Sequence, residues 1–469
     1  MGSQQNYLTT DLVRIDALGP GGEYRTRNRE VIMSTAGAAV AELSIVPPLY
    51  VSRTVASQRK TAPLPVAQRE AALGDAADLF ATAVIGGLDF EEYVRLVSRI
   101  SGLPIVVARA GARGVADAVA SAFDAVRAAR PAGAALDWRD ERVRRGGAVW
   151  ARRGEVFAVH AAGNGPGVHA LWPQALALGY RVAVRPSRRE PLTAHRLVNA
   201  LRQAGFRPED MAYLPTDHGG ADEIIRCADL AMVYGGQDVV DKYADDPAVL
   251  VNGPGRTKIL ITADRDWRDH LDLIVDSIAN LGGMACVNAT AVLCEGDPAP
   301  LAHAIAERLA DIEPLPSEDE RAILPTQPLE KAQELAAYLA TKAAGTTPLL
   351  GAERVVAPIG GGYAALRPAV HLLAEPGTGQ PTDKLNTELP FPCVWVAPWS
   401  RAAGVEPLRH SLVVTAITGD ERIVDDLLAE PSVANVYAGH RPTFYSAPEI
   451  PHDGFLADFL MRNKGFVSD

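Results

Sequence analysis

Four cysteines occur in 469 residues, and one of them stands in unusual company. Cys286 lies in "ANLGGMACVNATAVLCEG" (279–296), just after Gly282 and Gly283 and ahead of an apolar run. Most cysteines pack as small hydrophobes, and Cys227, Cys294 and Cys393 are read that way. A reacting cysteine needs its thiolate held by amide dipoles, a helix N-terminus or a cationic neighbour; no histidine partner is evident in the sequence beside Cys286. Other residues with chemical potential sit at turns. Asn164 in "AGNGP" (162–166) follows an apolar run, a place asparagine also takes for its left-handed backbone alone. Arg185, Ser187 and Arg188 in "RPSR" (185–188) stand where a strand gives way to a helix, as do Gly235 and Gly236 in "YGGQ" (234–237). "GGGY" (360–363) lacks a following Lys-Ser/Thr and reads as a turn rather than a phosphate loop. The cysteines have no metal-like spacing, so no metal site is expected. His169 and His195 fall on presumed helices and are read as structural.

The elements that must position these residues alternate. "PVAQREAALGDAADLFATAVIGG", "DFEEYVRLVSRIS" and "GVADAVASAFDAVRAARP" place apolar residues three and four apart, predicting helices across 64–131. "DWRDERVRRGGAVWARRGEVFAV" (137–159) reads as a hairpin feeding a buried strand. From there strands and helices take turns: strand "GEVFAVHAAG", helix "GVHALWPQALALG", strand "YRVAVRPS", helix "PLTAHRLVNALRQAGF", strand "MAYLP", helix "GADEIIRCA", strand "DLAMVYGG". That order predicts a doubly wound parallel sheet with its ligand beyond the carboxyl ends of the strands. A second alternating unit follows "VLVNGPGRTKILIT" (249–262), with helices at 266–280 and 299–312 and later strands in "RHSLVVTAITGD" and "VANVYAG". The tail "PHDGFLADFLMRNKGFVSD" reads as ordered.

Bulk properties narrow the function. The length calls for two or three structural units. A formal charge of −11 argues against a nucleic-acid or anionic-membrane surface. No apolar run approaches the ~18 residues of a spanning helix, no secretory signal is evident, and "MGS" is weak ground for myristoylation. Free thiols fit a reducing compartment, so a cytoplasmic location is expected.

The runs "AGNGP", "RPSR", "YGGQ", "NGPGR" (252–256), "GGMAC" (282–286) and "TELPFP" (387–392), in this order, resemble those of the aldehyde dehydrogenase superfamily over roughly residues 155–395. The resemblance implies an α/β fold: two doubly wound parallel-sheet domains plus a small β oligomerisation extension. It implies a dinucleotide-binding domain from 1–135 and 153–255, a catalytic domain at 256–445, and an extension from 136–152 and 446–469. Cys286 would be the nucleophile, because a thiolate attacks an acyl carbon well and leaves as a thioester. Asn164, with the backbone N–H of Cys286, would form the oxyanion hole. Arg185, Ser187, Arg188, Gly235, Gly236 and Glu388 would hold the dinucleotide. Arg188 stands where the family's "KPSE" has a glutamate for the ribose 2′-hydroxyl. A guanidinium there suits a 2′-phosphate, so NADPH is expected, with NADH as the alternative.

One departure bears on direction. The family's aldehyde-oxidising members begin "ELGGK" with a glutamate that activates the deacylating water; Asn252, 34 residues before Cys286, stands there instead. Asparagine takes no proton from water. The thioacyl enzyme should then survive to accept hydride, which suits reduction of a thioester, acyl-adenylate or acyl-phosphate to an aldehyde. The pattern resembles the LuxC-like acyl reductases, with relatives in antibiotic and phenazine-type pathways. The implied partners are an activated acyl substrate, an adenylating or acyl-transferring enzyme, and a second copy in a homodimer or tetramer. The alternatives are an ordinary NAD(P)-dependent aldehyde dehydrogenase with another base, an amino-acid acyl-phosphate reductase, and a catalytically silent scaffold subunit.

Overall fold

A computed structural model describes residues 12–373 and 382–468; the N-terminal "MGS" lies outside the described residues. Two seven-stranded sheets carry the fold. The first runs Val249–Asn252, Leu230–Tyr234, Val156–His160, Arg181–Arg185, Met211–Tyr213, Ala17–Gly19, Gly22–Tyr24. Its first five strands are parallel, and the last two close the edge antiparallel. Side chains alternate across each strand. Phe157, Val159, Val182 and Val184 therefore face the helices Val66–Thr82, Ile105–Ala120 and Leu192–Gln203, while Val156, Ala158 and Ala183 face Pro48–Arg59 and His218–Cys227. Strands covered on both faces must be apolar throughout, which is why Val156–His160 is buried at every position.

The second sheet runs Thr347–Leu350, Ala369–Leu372, Cys393–Trp399, Ala289–Glu295, Thr257–Ile261, Ser411–Ile417, Val433–Ala438. All are parallel except the first. Cys294 and Cys393 are buried in its two cores. A small sheet joins distant parts of the chain: Met461–Phe466 pairs antiparallel with Gly147–Arg152, which lies parallel to Ala134–Ala135.

Two local expectations need correction. Residues 137–159 do not form a hairpin: Glu141–Arg144 is one helical turn, and Gly147–Arg152 and Val156–His160 join different sheets. Val143 buries against Gly147, where a Cβ would lie 2.8 Å from Cγ1 of Val143, and Gly147–Arg152 takes its partners from Met461–Phe466 and Ala134–Ala135 instead. "GVHALWPQALALG" is not one helix but a 3₁₀ turn, Pro166–His169, followed by Pro173–Ala177. Pro173 has no N–H and can only begin a helix. The N-terminal strands and the helix Pro48–Arg59 stand outside those readings; Ala17–Gly19 and Gly22–Tyr24, at three residues each, leave little periodic signal. No helix among the described residues is long and apolar enough to cross a membrane.

Candidate active site

The helix Leu271–Ala279 ends seven residues before Cys286, and Leu281, Gly282 and Gly283 follow with φ of 56°, 70° and 64°. Three left-handed residues in a row are costly for side chains other than glycine. A Cβ on Gly283 would also lie 2.4 Å from the backbone nitrogen of Pro392. The paired glycines thus exist to fold the chain back and present the cysteine. Buried Asn288 closes the turn: its Oδ1 accepts the Ala285 N–H at 2.9 Å, and its Nδ2 donates to the carbonyls of Ser277 (3.2 Å) and Asn280 (2.7 Å). From the other side Thr257 Oγ1 donates to the Cys286 carbonyl at 2.8 Å. A Cβ on Gly255 would stand 1.8 Å from that same oxygen, so the 252–256 turn lies directly against the cysteine backbone.

The half-buried thiol has a partner that the local sequence did not reveal. Cys286 Sγ lies 3.3 Å from Nε2 of His452, which arrives from the C-terminal segment. The His452 carbonyl accepts from Asn435 Nδ2, and its Nδ1 is buried without a partner. Burial pushes the Cys286 thiol up to about 12; Glu388 and Asp453 add to this, and the N–H groups of Cys286 and Val287 oppose it. Burial also holds the imidazole below its ordinary value, with Asp453 opposing. The resting pair is therefore a neutral thiol against a neutral imidazole. The only local hint was a histidine in "PHDGF", 166 residues away.

Asn164 does reach the cysteine loop: its Nδ2 donates to the Met284 carbonyl at 3.3 Å, and its Oδ1 is buried without a partner. Asn252 ends its strand buried, with Nδ2 unpartnered. Glu388 accepts the backbone N–H of Arg256 at 3.0 Å. Burial raises its pKa, while the N–H groups of Arg256 and Gly255 and the Arg256 charge act against that rise.

The remaining predicted residues gather at the carboxyl ends of the first sheet. Arg185 pairs across strands with His160, and the buried Arg185 Nε and His160 Nε2 both lack partners. Burial, helped by Arg185, drives His160 down to about 3, so it is neutral. Two orphaned nitrogens beyond parallel strand ends fit a polar ligand such as a dinucleotide. Ser187 Oγ accepts the Arg189 N–H at 3.2 Å and lies where a Cβ on Gly163 would clash. Arg188 is exposed and pairs with Glu30 at 3.2 Å. Glu190 is spent on the N–H groups of Leu192 and Thr193, capping the next helix. Gly235 has a packing role: a Cβ there would lie 2.4 Å from Val239 in the helix Gln237–Tyr243. Gly236 caps that same helix. His169 is fully buried and accepts Trp172 Nε1–H at 3.1 Å. Cys227 Sγ donates to Glu223 at 3.3 Å. Among the described residues no group of three or more His, Cys, Asp or Glu could hold a metal.

Solved structures share this architecture. An NAD-dependent aldehyde dehydrogenase from Sinorhizobium meliloti superposes with TM-score 0.82 at 18% identity, covering 97% of this chain and 94% of that one. The P. syringae indole-3-acetaldehyde dehydrogenase in complex with NAD+ and IAA gives 0.80 at 17%, covering 97% of each. A 3,6-anhydro-L-galactose dehydrogenase solved with NADP gives 0.78 at 18%, covering 97% and 99%. At such identity the likeness shows the fold. A search of curated proteins finds no match to the sequence. The profile of the aldehyde dehydrogenase family matches residues 49–372, well over half the chain. Together with the cysteine presented between two parallel-sheet units, this match establishes that the chain belongs to the aldehyde dehydrogenase family.

Proposed function

We propose that the protein reduces an activated carboxylate, a thioester or acyl-adenylate, to its aldehyde through a thioacyl enzyme on Cys286. The carrying observation is Asn252, buried at the strand end that opens the turn whose Gly255 abuts Cys286, in the position where the resemblance expects a water-activating glutamate. A positioned base is worth ~10²–10⁴ in rate; an amide in place of that carboxylate slows hydrolysis and leaves the thioacyl group time to be reduced. The bound dinucleotide supplies the hydride. Asn164 supports the oxyanion by redirecting its Nδ2 from the Met284 carbonyl to the reacting oxygen. Collapse of the tetrahedral centre returns the electron pair to Sγ and releases aldehyde.

The orphaned nitrogens of Arg185 and His160 support dinucleotide binding at the first sheet, with Ser187 beside them. NADPH is the proposed donor and NADH the alternative. The Arg188–Glu30 pair is exposed, and such pairs contribute little, so a 2′-phosphate can take the guanidinium from Glu30. A LuxC-like subgroup, a place in antibiotic or phenazine-type metabolism, an adenylating partner and a homodimeric or tetrameric assembly belong to this proposal as well. They rest on resemblance and on the chemistry of free carboxylates, which are poor electrophiles.

A second reading, oxidation of an aldehyde to the acid, is favoured by Glu388, a half-buried carboxylate close enough to raise the Cys286 thiol. Incubation with NADPH and a panel of acyl-CoAs and acyl-adenylates separates the two. Nicotinamide consumption with aldehyde release supports reduction. No consumption, alongside steady acid formation from aldehyde and NADP+, supports oxidation.

A further inference from the structure

We propose that His452 is a catalytic residue that carries the proton of Cys286, with Nε2 taking it from Sγ as sulfur attacks and handing it to the leaving group. The inference rests on Cys286 being the nucleophile; proton uptake from sulfur serves attack on either an acyl donor or an aldehyde, and the hand-over to a leaving group applies to the acyl donor.

The geometry is specific. Nε2 faces Sγ at 3.3 Å, while Nδ1 is buried with no partner, so among the described residues the thiol is the ring's one polar contact. The ring therefore has no competing partner for the Nε2 position that faces the sulfur. The backbone of His452 is clamped from the second sheet: buried Asn435 donates to its carbonyl and, at 3.1 Å, to the Leu412 carbonyl. That clamp holds an otherwise long C-terminal connection against the cysteine.

The charges around the pair point the same way. Asp453 favours a proton on the imidazole, Glu388 and Asp453 oppose a free thiolate, and half-buried Tyr234 beside Cys286 is held neutral by desolvation. A standing thiolate is disfavoured in this setting, so the proton has to leave as the sulfur attacks. The step balances. The S–H bond breaks toward Nε2 as the C–S bond forms, and the carbonyl π pair moves to oxygen. On collapse the bond to the leaving group breaks, and that group departs with the proton from Nε2. Nothing is oxidised or reduced.

Alkylation of Cys286 by iodoacetamide, read by mass spectrometry of the Cys286 peptide between pH 5 and 10, tests this without any acyl substrate. The wild-type rate should stay nearly flat from about pH 6.5 to 8.5, where the imidazole is neutral. In His452→Gln it should fall about 10²-fold at pH 7 and climb tenfold per pH unit. In His452→Ala, added imidazole should restore part of the rate. Melting temperatures report whether the variants fold. A wild-type profile that itself climbs tenfold per unit overturns the proposal even if neither variant folds. So do unchanged rates in variants that melt like wild type. Intact coupling with no NADPH consumption by any acyl donor would defeat the reductive reading alone.

Discussion

Glu388 accepts the backbone N–H of Arg256 at 3.0 Å, and Arg256 offers that N–H from a left-handed backbone, φ 48°. Left-handed arginine is strained, and strain of this kind persists where surrounding contacts over-determine it. The carboxylate thus pins the turn that presses on Cys286, and its charge helps keep the thiol protonated. Glu388→Gln keeps an acceptor and removes the charge. Removing a nearby negative charge favours the thiolate, so the alkaline midpoint of Cys286 alkylation should fall by about one pH unit. Glu388→Ala loses the acceptor as well and should cost about 1–3 kcal/mol in urea unfolding.

Gly255 and Gly283 admit no side chain. A Cβ on the first meets the Cys286 carbonyl at 1.8 Å, and on the second meets Pro392 at 2.4 Å from a left-handed backbone. Both neighbours are backbone atoms that cannot rotate away. Gly255→Ala and Gly283→Ala should each destabilise by about 1–3 kcal/mol and should reduce Cys286 labelling by an activated acyl donor. Thermal unfolding and mass spectrometry of the labelled peptide check both.

Asn252→Glu restores a base where the resemblance expects one. Oxidation of an aldehyde with NADP+ and no acyl acceptor should rise at least about 10-fold, toward the ~10²–10⁴ of a well-placed base. The thioacyl enzyme should become correspondingly short-lived. Stopped-flow decay of the acyl enzyme measures this directly.

Arg188 decides between the two dinucleotides if its guanidinium meets a 2′-phosphate. Arg188→Glu should raise KM for NADPH about 10-fold, as expected for one lost charge-assisted hydrogen bond, and leave KM for NADH nearly unchanged. Glu30→Gln, which removes the present partner of Arg188, should lower KM for NADPH. Initial-rate kinetics with both cofactors read the difference.

Much of this architecture was legible because doubly covered strands must be apolar throughout. Val156–His160, Leu230–Tyr234 and Ser411–Ile417 show as runs that no amphipathic helix would carry. The glycines before Cys286 were visible as a signal, but their reason, three left-handed residues folded against Pro392, is a long-range packing fact. His452 was invisible for a related reason. A contact spanning 166 residues leaves no periodicity, and one histidine in a polar tail looks like any other. Motif order ties Asn164 and Asn252 to the cysteine, and of the two Asn164 makes a hydrogen bond to the cysteine loop. That Asn164 now donates to Met284, and that Glu388 grips a backbone N–H of Arg256, follow from turn geometry that local residue types do not encode.

The most direct test of the central claim is to trap the acyl group on Cys286. Wild-type protein is mixed with an acyl-CoA or acyl-adenylate without nicotinamide and analysed by peptide mass spectrometry, and NADPH is then added. The account predicts an acyl adduct on the Cys286 peptide that persists against hydrolysis, is absent in Cys286→Ala, and is discharged as aldehyde when NADPH arrives. An adduct that turns over to free acid without waiting for NADPH, or none with any activated donor while aldehyde is steadily oxidised, would contradict it.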